Sequence, residues 1–558
     1  MKIALVHGYI LRGTGSNLYV TNLCRTFCKA GHDVMLFSQE SDPHHFDFIS
    51  HSYTFNEDCS ILMPIFQRTT SFPGKCIHYR PFIDSFLPVY VHDDYPGYTV
   101  KTYTEASEIE IENYLAHNTK CLQTIFADQP PDLILSQHTI MQPVYTARAR
   151  KACPKAKHFA IIHGSALNFS VRKRELLKTY AIEGIEDAHQ LIFVSTHSQN
   201  DFIQYFSPTP QLASKCKVIP AGVNVDLFQA PQGKEKIQSK QDKLLKAKQE
   251  SSKQKIQVDN SKEMHSFHDA VHVNPTLESI KENIIAYQNN LDIWSPDPDI
   301  HQKLAQIFDQ KGNIVLYFGK YLWTKGIHLL IAAAPLILSK FPQTHFILVG
   351  FGSTRPWLET LVNLLDGGHT ELFKTILQQP HLADPGITHQ SIYTKDFLHW
   401  LDLPLNEEAY RSVAYQNIRK HMTFTGIMQH SELINLIPSA DITVAPSIFP
   451  ESFGMVAIES LSCGIFPVQT YHSGFADVID HYEKEFQDFF SSFHWKHIEL
   501  NDSLIFSLVE NINHLLQAQE HLSPQEKANL SKRAHAFVKD NYDWTSIAQK
   551  MLSTAESL

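Results

Sequence analysis

The sequence predicts an α/β protein built from two doubly wound domains, each a parallel sheet with helices on both faces. Three observations predict it. Short β-branched runs alternate with helical patterns in both halves of the chain. The runs are continuously apolar, as in strands buried on both faces, rather than alternating as in half-exposed strands. A chain of 558 residues also exceeds what one ordinary core holds.

In the N-terminal half, strands are expected at residues 2–7, 33–38, 133–138, 158–163, 190–195 and 217–219. An amphipathic helix is expected at 16–30, with Leu18, Leu23 and Phe27 on its apolar face. The pattern then stops. Residues 233–256 are rich in Lys and Gln with no aromatic residue, and the chain reads as irregular to about 311. This stretch is expected to be a solvated helix or a mobile insert rather than core. The alternation resumes at 314–319, 345–350, 422–426, 442–446 and 465–470, and a second insert falls at about 367–420. Three of these strands end in glycine (Gly319, Gly350 and Gly426), which lets the backbone approach a ligand at the strand's carboxyl end. The domains are therefore expected at 1–228 and 313–535, joined by a basic insert at 229–312 and followed by a C-terminal segment at 536–558. Ligands of such sheets bind at the carboxyl ends of the strands, so two such domains are expected to enclose a cleft.

Composition narrows the function. A hydrophobic share of 43% with 19% charged residues reads as globular. A formal charge of −10 argues against binding nucleic acid through its phosphates. The eight cysteines show no framework spacing. Cys24 and Cys28 would share a helix face, but no second pair completes a zinc site, so buried thiols and no metal are expected. The apolar run at 3–6 is too short for a signal peptide, and no stretch approaches the ~20 apolar residues of a membrane span. A cytoplasmic protein is expected, with contact at the inner membrane face and the oligomeric state left open.

The most specific motif lies in the C-terminal half: Ala445-Pro446-Ser447, Pro450-Glu451-Ser452-Phe453-Gly454-Met455 and Ile458-Glu459-Ser460. Glu451 falls in a loop, and Ser452 and Gly454 suit a helix start. Glu459 then falls on the second turn among Met455, Val456, Ile458 and Leu461. A carboxylate in that setting needs a partner, and two sugar hydroxyls would supply one. Amides at the helix start favour an anion such as a diphosphate. After the strand at 314–319, Gly319 is followed by Lys320, and Lys325-Gly326 opens the next helix. Both ammonium groups are placed to neutralise a departing diphosphate. Near the N-terminus, Gly13-Thr14-Gly15-Ser16 follows the first strand. It loosely matches the dinucleotide fingerprint, with Glu40 where a ribose acid would stand, but Leu18 replaces the third glycine. The loop fits better as one approaching a phosphate or an acceptor. His138 and His163 close two strands at their carboxyl ends, facing the expected cleft.

Taken together, the array Phe318-Gly319-Lys320, Lys325-Gly326, Pro446-Ser447, Glu451-Ser452-Phe453-Gly454 and Glu459 resembles the retaining GT-B glycosyltransferases of family 4. The segments Val218-Ile219-Pro220-Ala221-Gly222-Val223-Asn224, His163-Gly164-Ser165 and Gly464-Ile465-Phe466-Pro467-Val468 are also similar to family counterparts. The resemblance implies transfer from a UDP-, GDP- or ADP-sugar to a glycan, a lipid-linked acceptor or a small molecule, with no cofactor and no metal. It implies that Glu459 holds the ribose, and that Glu451 with the amides of Ser452, Phe453, Gly454 and Met455 holds the transferred sugar. Lys320 and Lys325 would hold the diphosphate, which Gly15 and Ser16 approach from the other domain. His138 and His163 would lie near the sugar and the acceptor, and residues 541–552, with Trp544, look like the last helix that returns to the first domain. Lysine at 320 departs from the family's usual arginine, keeping the charge but losing its two-pronged geometry. The inserts at 229–312 and 367–420 also have no clear counterpart. Two rival readings use less of the sequence: a nucleotide-dependent oxidoreductase resting on 13–18 and Glu40, and a non-catalytic sugar-nucleotide sensor on the same fold.

Overall fold

The computed structural model describes every residue except 14, 91–94, 96, 232, 255–274, 291–296, 298 and 385–392. Thr14 and parts of both inserts lie outside the described residues. The chain forms two compact units, one of Met1–Asn224 with Asn541–Leu558 and the other of Val225–Asp540.

The strands of the first unit are β1 (Lys2–Val6), β2 (Asp33–Phe37), β3 (Ile49–Phe55), β4 (Leu62–Gln67), β5 (Cys76–Arg80), β6 (Phe86–Val89), β7 (Thr99–Thr102), β8 (Leu133–Gln137), β9 (Lys157–Ile162), β10 (Gln190–Phe193) and β11 (Cys216–Val218). Nine of them form one sheet in the order β11-β10-β9-β8-β1-β2-β5-β3-β4, while β6 pairs with β7. Pairing is parallel except between β3 and the edge strand β4. β1 is flanked by β2 on one side and β8 on the other, so the winding reverses there. In such sheets the crevice outside the strands' carboxyl ends at the reversal is where ligands bind.

The second unit repeats the logic with β12 (Ile314–Phe318), β13 (His345–Val349), β14 (Met422–Phe424), β15 (Ile442–Ala445) and β16 (Phe466–Gln469). All pairs are parallel, in the order β14-β13-β12-β15-β16. The reversal lies between β12 and β15. The central strands are buried along their whole length, which is why they read as unbroken apolar runs.

Each strand expected from the sequence is present, ending one or two residues earlier. His7, His138, His163, Gly319, Gly350 and Gly426 thus stand just past strand ends rather than inside them. His138 and Gly426 have φ of +69°, which turns the chain out of the ladder. β3 to β7 were not expected.

The basic insert needs correction. It contains the helices Lys234–Gln254, Leu277–Asn290 and Ile300–Asp309, and one face of it is buried. Leu244, Ile280, Ile284 and Leu304 are core residues, and Lys248 is 2% exposed. In Lys234–Gln254 the apolar side rests on few positions, Leu244 among them, so the lysine-rich composition conceals it. Asp297 locks the insert down through two hydrogen bonds of 2.8 Å from Arg355, a buried bidentate pair. The second insert is also partly helical: Tyr410, on the helix Pro404–Ala414, donates to the Ala332 carbonyl at 2.9 Å.

The basic groups at 148–151 and 172–174 are largely engaged within the chain. Arg148 pairs with Glu112 and Glu183, Arg150 with Asp187, Arg172 with Asp201, and Arg174 donates to the carbonyls of Tyr103 and Ala106. Among the described residues no helix is long and apolar enough to cross a membrane.

Candidate functional site

Two loops meet at the reversal point of the second unit. The first follows β12. The buried Tyr317 donates its hydroxyl to the Lys320 carbonyl at 2.8 Å, which folds the loop back over its strand. The second follows β15. The Ile448 amide and the Ser447 hydroxyl both donate to the Thr324 carbonyl, at 2.9 and 3.2 Å, so the loops are stitched together beside Lys325. Gly326 has φ of +74°, and a Cβ there would overlap the Pro446 carbonyl oxygen. Only glycine permits that approach.

The result is an ion pair: Lys325 Nζ lies 2.5 Å from Glu451 Oε1. Both side chains are partly exposed, so the pair is open to a ligand. Glu451 is fixed at its backbone. Its amide donates to Ser473 Oγ at 2.8 Å, and its carbonyl accepts from the Gly474 amide at 2.8 Å. Ser473, at φ of +49°, is steadied by His472, whose Nε2 lies 2.7 Å from the Ser447 carbonyl. Lys320 is half-buried with its ammonium 5.8 Å from the centre of the Phe351 ring. Of the two lysines, Lys325 is the one paired with Glu451.

Gly454 precedes the helix Met455–Ser462, with Ser452 half-buried and Phe453 buried in the loop before it. Glu459, one turn inside that helix, is 6% exposed. Sequence reasoning missed its partner within the chain: His430 Nε2 lies 3.3 Å from Glu459 Oε1. Burial pushes this imidazole down, but hydrogen bonding to Glu459 and its charge outweigh that and hold the pKa above the ordinary value. No spacing signal could have linked residues 430 and 459.

In the first unit, the reversal gathers three histidines: His7 after β1, His138 after β8 and His163 after β9. The His138 ring lies 4.9 Å from His163, 6.3 Å from His7 and 4.7 Å from Tyr90. Among the described residues, both nitrogens of buried His138 lack a hydrogen-bond partner, as does Nε2 of the adjoining Gln137. Buried polar atoms of this kind mark places where a polar ligand or water binds. His163 Nε2 is held 2.8 Å from Gln137 Oε1, and its ring packs edge-on to Tyr19, which in turn meets Trp544. Trp544 begins the helix Trp544–Glu556, which packs on the helix Gly15–Lys29. His7 was not singled out from the sequence. Its Nε2 lies 2.8 Å from Asn17 Oδ1 and 3.2 Å from the Ile10 carbonyl.

Burial keeps all three neutral. It pushes His7 down to about 4 against the raising effect of its hydrogen bonds to Asn17 and Ile10, and takes His163 to about 3 and His138 well below its usual range, these two with smaller contributions from neighbouring histidines. The folded pKa values lie below the unfolded value of about 6.5, so this contribution to stability is complete above pH 6.5. As pH falls toward 4 the unfolded chain takes up protons first, at about 1.4 kcal/mol per pH unit per histidine. The melting temperature of the first unit is therefore expected to fall between pH 6.5 and 4. Scanning calorimetry of wild type and His7→Asn checks this, the variant showing the shallower loss.

Gly15 opens the helix Gly15–Lys29 and is exposed, and Ser16 is half-exposed. Glu40 does not stand free for a ribose. It is 3% exposed, and its carboxylate accepts the amides of Leu11 and Asp42 at 3.0 and 2.9 Å. Its role is to shape the loop after β1, which removes the main support for the oxidoreductase reading. Asp42, His44 and His45 bring potential metal-ligand atoms within 4.8 Å of one another; Arg12 already pairs with the same Asp42 carboxylate.

Comparison with known proteins follows the same lines. Residues 403–512 match the family described as glycosyl transferases group 1, a span that includes His430, Glu451 and Glu459. The chain is 20% identical over 286 residues to the phosphatidylinositol N-acetylglucosaminyltransferase gpi3 subunit of Schizosaccharomyces pombe, covering 51% of this chain and 45% of that protein. It is 23% identical over 188 residues to the uncharacterized glycosyltransferase MJ1607 of Methanocaldococcus jannaschii, covering 34% of each. The chain thus spans less than half the length of these curated relatives. Among solved structures, Anabaena Alr3699/HepE in complex with UDP aligns over 100% of both chains, with a TM-score of 0.52 and 16% identity. The fold is GT-B.

Proposed function

We propose that the protein transfers a sugar from a nucleoside-diphosphate sugar to an acceptor with retention of anomeric configuration. The observation that carries this reading is the Lys325–Glu451 pair at the β12/β15 reversal, with the buried Glu459 on the adjoining helix. Lys320 and Lys325 neutralise the diphosphate. Glu451 and the amides at 452–455 hold the transferred sugar, and Glu459 accepts from the ribose hydroxyls. As the anomeric C–O bond to the diphosphate breaks, charge develops on its oxygens and the ammonium groups stabilise it. The acceptor hydroxyl then attacks on the face that the diphosphate leaves, and its proton passes to a diphosphate oxygen. This scheme draws its positive charge from the lysines and calls on no metal. Buried, neutral His138 offers its nitrogens to a polar acceptor, with His163 held beside it by Gln137.

The donor is a UDP-, GDP- or ADP-sugar, and UDP, present in the Anabaena neighbour, is the first nucleotide to try. The acceptor is a glycan, a lipid-linked sugar or a small molecule. The protein is incubated with UDP-, GDP- and ADP-glucose and the matching N-acetylglucosamine and mannose donors, and nucleotide release and the product's anomeric proton are followed by NMR. Release from one donor class with an α-linked product is expected. No release from any donor would overturn the reading, and a β-linked product would overturn retention.

A further inference from the structure

The helix Lys234–Gln254 is part of an insert with no evident counterpart in the resemblance, yet it grips the element beside Glu459. Lys248 lies 2.8 Å from Glu432 Oε1. A lysine this buried is costly unless its charge is met, so the pair is an anchor. The other Glu432 oxygen accepts the Gln429 amide at 2.8 Å and closes a capping box on the helix His430–Leu436. Eight residues before Lys248, Lys240 donates to the Ile434 carbonyl of the same helix at 2.8 Å. Leu244, between them, is fully buried. A helix of seven residues does not hold its own position, so these contacts set where His430 stands. The His430 ring meets Phe228 edge-on at 5.9 Å and touches Glu459 with Nε2.

We propose that Lys248 and Glu432 are positioning residues for nucleotide binding. They hold His430 so that its imidazole keeps one oxygen of Glu459 and leaves the other aimed at the ribose. This rests on the reading of Glu459 as the ribose carboxylate. The insert then tunes the affinity of the donor site without touching the donor.

Titration calorimetry of the full chain with UDP, GDP and ADP first identifies the nucleotide bound by wild type. Lys248→Met and His430→Ala are each expected to weaken it about tenfold, and the double variant no further than His430→Ala alone, because the two act in series. Lys248→Arg is expected to restore binding to within about threefold of wild type. Lys248→Met is also expected to raise KM for the sugar donor far more than it lowers kcat. Where Lys248→Met loses helix content, Glu432→Gln carries the same comparison. Wild-type affinity in Lys248→Met, or a loss that adds in full to that of His430→Ala, overturns the inference while leaving the donor site intact. If wild type binds none of the three nucleotides, the donor site itself is wrong and the inference falls with it.

Discussion

Replacing Lys325 with alanine is expected to lower kcat by about 10²–10³, the usual cost of losing one preorganised charge stabiliser. The ammonium stands at the reversal point, where the β12 loop is stitched to the β15 loop through Thr324 and closed by Gly326. In the proposed reaction its contribution grows as the diphosphate departs, so the loss falls on kcat more than on KM. Alanine also leaves Glu451 without its 2.5 Å partner, so the sugar-binding carboxylate loses its orientation. Lys325→Arg keeps the charge and is expected to recover part of the loss. Steady-state kinetics with the preferred sugar donor checks both variants, and unchanged turnover in Lys325→Ala would remove the lysine from the mechanism.

Replacing Asp297 with alanine is expected to destabilise the second unit by about 2–4 kcal/mol, the cost of leaving two charged N–H donors of buried Arg355 without acceptors. Arg355 is 4% exposed at its side chain and divides its hydrogen bonds between Asp297 and Glu359. Without Asp297 one of its two carboxylate partners is lost, while the backbone amide at 297 still donates to the Thr425 carbonyl at 3.1 Å. Amide hydrogen exchange in β13 and β14 reads the effect locally. Exchange rising by orders of magnitude there is the expected outcome. The three changes Asp297→Leu, Arg355→Met and Glu359→Leu made together are expected to recover much of the stability, since well-packed apolar residues often replace a whole buried ionic cluster at little cost, whereas removing Arg355 with Asp297 alone would strand Glu359.

The parallel cores were legible because β1, β8, β12 and β13 are buried on both faces and so read as unbroken apolar runs. β3 and β5 were not, because their interior positions are polar and are satisfied by other strands. His78 of β5 sits between Ser38 Oγ at 3.0 Å and Ser52 Oγ at 2.9 Å. β4 and β6 each contain proline, Pro64 and Pro88, which lowers any strand expectation from sequence. The inserts looked irregular because burial of Lys248 and Asp297 depends on Glu432 and Arg355, far away in the chain. The candidate site divides the same way. Glu451, Glu459 and Lys325 were visible because each stands in a loop or helix start with a local signature. His430, His472 and Ser473 reach the second unit's site, and His7 the first unit's histidine cluster, only through tertiary pairing, and no local pattern marks them.

The central claim is that the β12/β15 crevice of the second unit binds the nucleoside diphosphate of a sugar donor. Titration calorimetry of wild type and Glu459→Ala with UDP, GDP and ADP tests it most directly. One-to-one binding of one nucleotide by wild type is expected, with a loss of about tenfold or more in the variant from the ribose hydrogen bonds removed. Binding of none of the three, or equal affinity in both proteins, would contradict it.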